Sequence, residues 1–153
     1  MIDLETRIRV LEDIEAIKKL QSRYWRCIIK GLPDEVADCF TKDGVGEFTH
    51  NFKVKGRKAL AQFYKEIMFQ NLSMRAPQGH NPEIEIIDEK NATGVWFIDM
   101  ANVNAQTKKA ARIGALYEDI YVKEKGQWKI KYKKTNFIYQ QAAEMEDMPQ
   151  SSK

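Results

Sequence analysis

Cysteine and histidine are scarce in this chain, with two of each in 153 residues. Cys27 and Cys39 cannot build a disulfide framework, and they fit a reducing cytoplasm with free thiols. Two distant histidines, and no cysteine pair at ligand spacing, argue against a metal site. The eight glycines are scattered and form no Gly-rich run, so no phosphate loop is expected. No apolar run approaches the ~20 residues of a membrane span. The opening Met1-Ile2-Asp3-Leu4-Glu5 lacks a basic region followed by an apolar stretch, so no secretory signal is expected. Charge is nearly balanced, 25 Lys+Arg against 22 Asp+Glu, so composition does not imply nucleic-acid binding.

What is present suits one globular domain: 43% hydrophobic and 31% charged residues, at a length that buries a core without metal or disulfide. In residues 4–29, Leu4, Ile8, Leu11, Ile14, Ile17, Leu20, Tyr24 and Ile28 recur at steps of three and four. That spacing predicts an amphipathic helix with this stripe inward. Leu32-Pro33-Asp34-Glu35 restarts a short helix that buries Val36, Cys39 and Phe40. Lys42-Asp43-Gly44 is expected to break the chain before an extended segment at 47–54. Gly56-Arg57 opens a third helix carrying Leu60, Phe63, Tyr64, Ile67 and Met68. After Gly79 the period falls to two, which predicts strands at 82–87, 92–103, 112–123 and 127–139, joined by short turns and paired antiparallel. Residues 1–141 form the domain, and 142–153 read as a flexible C-terminal tail.

The strands are apolar on both faces. Trp96, Ile98 and Met100 oppose Val95, Phe97 and Ala101, while Ile113, Ala115, Tyr117 and Tyr121 oppose Leu116, Ile120 and Val122. The helices cover one face, so the other is expected to pack against a second copy in a homodimer. Lys129, Lys131, Lys133 and Lys134 read as a basic, solvated edge on the last strand.

Several segments carry a resemblance. Asp13-Ile14-Glu15-Ala16-Ile17-Lys18-Lys19-Leu20 with Tyr24-Trp25-Arg26-Cys27 resembles the opening helix of the SnoaL-like branch of the nuclear-transport-factor-2-like superfamily. Gly79-His80-Asn81-Pro82 and Ala92-Thr93-Gly94-Val95-Trp96 are similar to its next two strands. Tyr117-Glu118-Asp119-Ile120-Tyr121 and Gly126-Gln127-Trp128-Lys129-Ile130 are similar to its closing pair. The resemblance implies an α+β fold, a cone-shaped, curved, mainly antiparallel sheet wrapped on N-terminal helices. It also implies a deep apolar pocket for a hydrophobic, often polycyclic, small molecule. Members include bile-acid dehydratases, a dehydrochlorinase, scytalone-dehydratase-like lyases, polyketide cyclases and ketosteroid isomerases. Their proton transfer needs no metal and no organic cofactor.

Carried over residue by residue, the family's helix tyrosine falls on Tyr24. Its aspartate falls on Ile29, its base histidine on Pro77 or, with a local insertion, Arg75, and a further pocket aspartate on Met100. The remaining catalytic candidates are Tyr24, His80 at the start of a strand, and Asp99. Strict alternation points Asp99 outward, toward Arg112, and a bulge would turn it in to orient His80. His50 is expected exposed or at a rim. Phe63, Trp96, Met100, Asn102, Ile113 and Tyr117 are candidate ligand contacts, though a packed core has the same composition. Three functions stay open: a cofactor-free lyase or isomerase, a non-catalytic binder of an apolar ligand, and a dimeric interaction module. Neither nucleic acid nor membrane is an expected partner.

Overall fold

The computed structural model describes residues 3–49 and 52–143. His50 therefore lies outside the described residues, as do tail residues 144–153.

The first helix, α1 (Leu4–Lys30), is fixed at both ends by local chemistry. Asp3 caps it by accepting the Thr6 N–H at 2.8 Å. At the other end Gly31 takes the left-handed conformation, and Leu32 N donates back to the Cys27 carbonyl at 3.0 Å. Its buried residues begin at Asp13, and Leu4, Ile8 and Leu11 are exposed. The expected inward stripe is thus docked only over its second half. A helix of this length runs roughly 40 Å, longer than the packed body needs.

After α2 (Pro33–Asp38), strand β1 (Phe40–Thr49) runs through Lys42-Asp43-Gly44 instead of starting after it. The register with its neighbour shifts between Phe40 and Val45, which absorbs those residues in an irregularity. Strand β2 (Phe52–Lys55) pairs antiparallel with β1. Next come α3 (Arg57–Phe63), a π-helical turn (Tyr64–Met68) and the short α4 (Phe69–Asn71). Four long strands complete the chain: β3 (Leu72–Ile86), β4 (Asn91–Asn104), β5 (Ala110–Glu124) and β6 (Gln127–Ala143). The final strand continues past the expected domain end at 141.

Strand β3 begins well before the expected Pro82, and His80 lies mid-strand rather than at a strand start. The sheet order is β2-β1-β6-β5-β4-β3, so β3 is an edge, where Pro77 sacrifices no ladder bond on the open side. Every pairing is antiparallel except β1 with β6. This order corrects the reading of the last strand as a basic edge. Strand β6 is interior, and its lysines are engaged with Asp38, Asp43, Asp119 and Glu118.

Register shifts between His80 and Glu83, Gly114 and Ala115, and Ile120 and Tyr121 curve this open sheet around α1. On the inner face Trp25 meets Trp96 edge-on, with ring centroids 5.1 Å apart. The first and last resembling segments touch directly: Trp128 Nε1 donates to buried Asp13 at 2.9 Å, and Lys123 pairs with the same carboxylate at 2.5 Å. Among the described residues no helix is long and apolar enough to cross a membrane.

Candidate functional site

The inner face carries a polar network at its base and a narrow cavity above it. Asp119 on β5 and Lys133 on β6 face each other in register, 2.6 Å apart, with neither side chain exposed. Gln21 on α1 donates to Asp119 and to the Tyr121 hydroxyl. Tyr121 donates to Asp119 at 2.7 Å and accepts from Trp96 Nε1 at 3.0 Å. The Lys133 ammonium also lies 4.6 Å from the Tyr24 ring centroid and 4.4 Å from that of Tyr117. Burial pushes the Asp119 carboxyl up and the Lys133 amine down, and each group's attraction for the other works against that shift.

Above this pair, Tyr24 and Tyr64 share a hydroxyl hydrogen bond of 2.7 Å. Burial raises both hydroxyls well above the ordinary phenol value, so they remain protonated donors at neutral pH. Burial also raises Tyr117. The cavity itself is lined by Tyr24 and Ile28 of α1, by Phe48, Met68, Leu72 and Arg75, and by Met100, Asn102, Tyr117, Thr135 and Phe137 of the sheet. The space between them is about 440 Å³ including the part open to solvent, of which only about 50 Å³ is wide enough to admit water. A larger groove, about 1320 Å³ including the part open to solvent, lies outside, between α2 and α3. It is open, with Ala37, Ala59 and Ala61 as well as Asp34, Asp38, Lys42, Lys55, Arg57 and Lys58 among its lining.

The candidates separate under this geometry. Tyr24, Met100, Asn102 and Tyr117 line the inner cavity. Trp96 lies in the core against Trp25 and Tyr121. Phe63 stacks on Phe48 at 4.5 Å and faces a surface groove with Phe52. Ile113 sits opposite Met100 in the β4–β5 register, half-buried and outside the cavity wall. Asp99 occupies the outer face and is bound by Arg112, which lowers its pKa, with a smaller contribution from His80. His80 is exposed beside this pair, two register positions along from Asp99's partner Gln78. No bulge turns Asp99 inward, because β4 stays in continuous register with β5. His80 and Asp99 therefore sit on the opposite side of the sheet from Tyr24.

Ile29, where the family aspartate falls, is 51% exposed on α1. Pro77 is buried opposite Met100, and Arg75 reaches the cavity. Its Nε donates to the Ile28 carbonyl at 3.1 Å, Nη1 donates to the Leu72 carbonyl, and its guanidinium lies 4.6 Å from the Phe69 ring centroid. Burial lowers its pKa. Sequence reasoning passed over Asp119, Lys133, Gln21 and Tyr64 as site residues. The one available signal was the pair of charges in strands that are otherwise core. Among the described residues no three His, Cys, Asp or Glu side chains converge as a metal site would require. Cys27 and Cys39 are buried free thiols; burial raises both, Cys39 to about 11, which makes them poor nucleophiles.

The fold recurs in known structures. A hexachlorocyclohexane dehydrochlorinase, LinA Type2, superposes with a TM-score of 0.88 at 16% identity, over 95% of this chain and 99% of that one. A scytalone dehydratase-like protein from Novosphingobium aromaticivorans gives 0.83 at 20% identity, over 96% and 99%. A LinA-type3 dehydrochlorinase from Novosphingobium barchaimii gives 0.85 at 17%, over 94% and 99%. At these identities the likeness carries the fold alone. The family model of the SnoaL-like domain matches residues 9–134, most of the chain, and it takes in most of α1, strands β1 to β5, the first half of β6 and the Asp119–Lys133 pair. The chain belongs to the SnoaL-like domain family.

Proposed function

We propose that this chain binds a hydrophobic small molecule in the inner cavity and holds it without proton abstraction. One observation carries the reading: among the described residues, the cavity wall contains no carboxylate and no imidazole. Its ionisable groups are tyrosines held protonated by burial and an arginine, which can donate hydrogen bonds but cannot serve as a base at neutral pH. An apolar wall of Ile28, Met68, Met100 and Phe137 suits a ligand of that character. A polycyclic ligand needs roughly 300 Å³ or more, so its entry requires lining side chains such as Met68 and Phe137 to swing aside. Methionine is well suited to such adjustment.

The second reading is a cofactor-free lyase of dehydratase type, or an isomerase. Tyr24 favours it, because the residue lines the cavity and its protonated hydroxyl, now bonded to Tyr64, could turn to polarise a leaving or carbonyl oxygen. The names of the similar structures, a dehydrochlorinase and a scytalone dehydratase-like protein, point the same way.

Mass spectrometry under native conditions separates the two readings, using a panel of hydroxylated and keto polycyclic compounds. A ligand retained at unchanged mass, and lost in Met100→Trp, is the expected result. A product that has lost water, or an isomer with a shifted retention time, in either case abolished by Tyr24→Phe, would replace the binder with the lyase or isomerase.

We also propose that a second copy covers the outer sheet face. Exposed Phe97, Ile120 and Tyr139, with half-buried Val95 and Leu116, support a homodimer there.

A further inference from the structure

We infer that the ligand of the inner cavity is an amphiphile, with an apolar body and one anionic oxygen, in the simplest case a carboxylate, seated against Arg75 and Asn102. The inference rests on the cavity reading above and adds the ligand's charge.

Arg75 is half-buried at the cavity wall, and its bonds to Ile28 and Leu72 go to neutral carbonyls. Those contacts aim the guanidinium without neutralising it, and they leave the rest of its five donors for another partner. Arg9, Arg23, Arg57 and Arg112 each pair with a carboxylate. Among the described residues no carboxylate lies within ion-pair distance of Arg75. Arg7 and Arg26 lack one too, but they are exposed and solvated by water. A cation partly withdrawn from water and facing an apolar cavity is a costly arrangement that an anionic ligand would relieve.

Asn102 is an independent second observation. It sits directly opposite Arg75 in the β3–β4 register, so the two share the inner face. It is 5% exposed and lines the same cavity, yet among the described residues its Oδ1 has no hydrogen-bond partner. A buried amide left unsatisfied costs about 1–3 kcal/mol. By a half-turn about its last bond it can present either oxygen or nitrogen to a ligand. Bidentate capacity from the guanidinium and one amide contact fit a carboxylate. The remaining wall of Ile28, Met68, Met100 and Phe137 fits a hydrocarbon body.

Calorimetric titration with two probes on one ring skeleton, naphthoate and naphthylmethanol, tests this. The native protein is expected to bind naphthoate at least about tenfold more tightly, the scale of one charge-assisted hydrogen bond. Arg75→Gln should abolish that preference, lowering naphthoate affinity at least about tenfold more than it lowers naphthylmethanol affinity. Arg75 also ties α1 to β3, so Asn102→Asp provides a second route: its carboxylate should occupy the guanidinium and remove the preference in the same way. Equal binding of both probes by the native protein, or a preference that survives both substitutions, would overturn the anionic ligand and leave the cavity reading intact. Failure of both probes to bind would overturn the cavity reading and this inference with it.

Discussion

Lys133 has no exposed surface, and it lies between Asp119, Gln21 and the rings of Tyr24 and Tyr117. Removing one charge of such a pair strands the other, so Lys133→Met is expected to destabilise the fold by about 3–5 kcal/mol. Adding Asp119→Leu should recover much of that loss, since a matched apolar pair carries no desolvation debt. Urea denaturation of the single and double variants decides this, and equal instability in the two would contradict it. Alternation alone put Lys133 on a solvated face with Lys129 and Lys131. The register shift opposite Ile120 and Tyr121 inserts one residue and swaps the face of Lys133 and the residues that follow it, up to the next shift opposite Gly114 and Ala115. A similar limit applies to Gly79, which was read as part of a motif. Its inner face is filled by Trp25, whose ring would lie 1.9 Å from an added Cβ. Gly79→Ala should therefore cost about 1–3 kcal/mol by overpacking, measurable as a lowered melting temperature.

At the scale of elements, the strands and their turns were the most legible part. The Lys123-Glu124-Lys125-Gly126 connection places Lys125 and Gly126 at positive φ, the two-residue turn whose twist matches paired strands. Gly126→Val should cost about 1 kcal/mol or more in unfolding free energy, although nothing crowds that position, because the strain lies in the backbone. An unchanged melting curve would refute that account. Helix α1 was legible as a helix but not as a docked length, since the apolar period continues through Leu4, Ile8 and Leu11 without saying what meets it. The first half of β3 was missed because Arg75-Ala76-Pro77-Gln78 has no alternation, and only its edge position lets it pair.

At the scale of the molecule, two behaviours follow. If a second copy covers the outer face, Phe97→Lys with Ile120→Lys should shift light-scattering mass from dimer to monomer without unfolding the chain. A native protein already monomeric at micromolar concentration would dismiss the dimer. Acid stability follows from the carboxylates. Arg112 lowers Asp99, while at Asp38 burial pulls upward but Lys129, Arg23 and Arg57 outweigh it, so its pKa is lowered as well. Lowered carboxylates stabilise the fold above their unfolded pKa near about 4 and lose that contribution as pH falls through their folded values. Asp119 is raised and works in the opposite direction, favouring the folded state as pH falls toward the same region. The melting temperature should thus hold down to about pH 4 and fall below it, with a shallower fall in Asp38→Asn. A decline starting near neutrality would contradict this balance.

The sequence by itself determined the family, the helix-then-sheet order, the turns and the apolar character of both sheet faces, because these depend on local propensity and on periods within single elements. Only the tertiary structure decided which side of the sheet each side chain joined. Single-residue register shifts sent Lys133 inward, continuous pairing kept Asp99 outward, and the edge position of β3 brought Arg75 opposite Asn102. Such shifts arise where curved strands meet across the sheet, and no period within one strand records them.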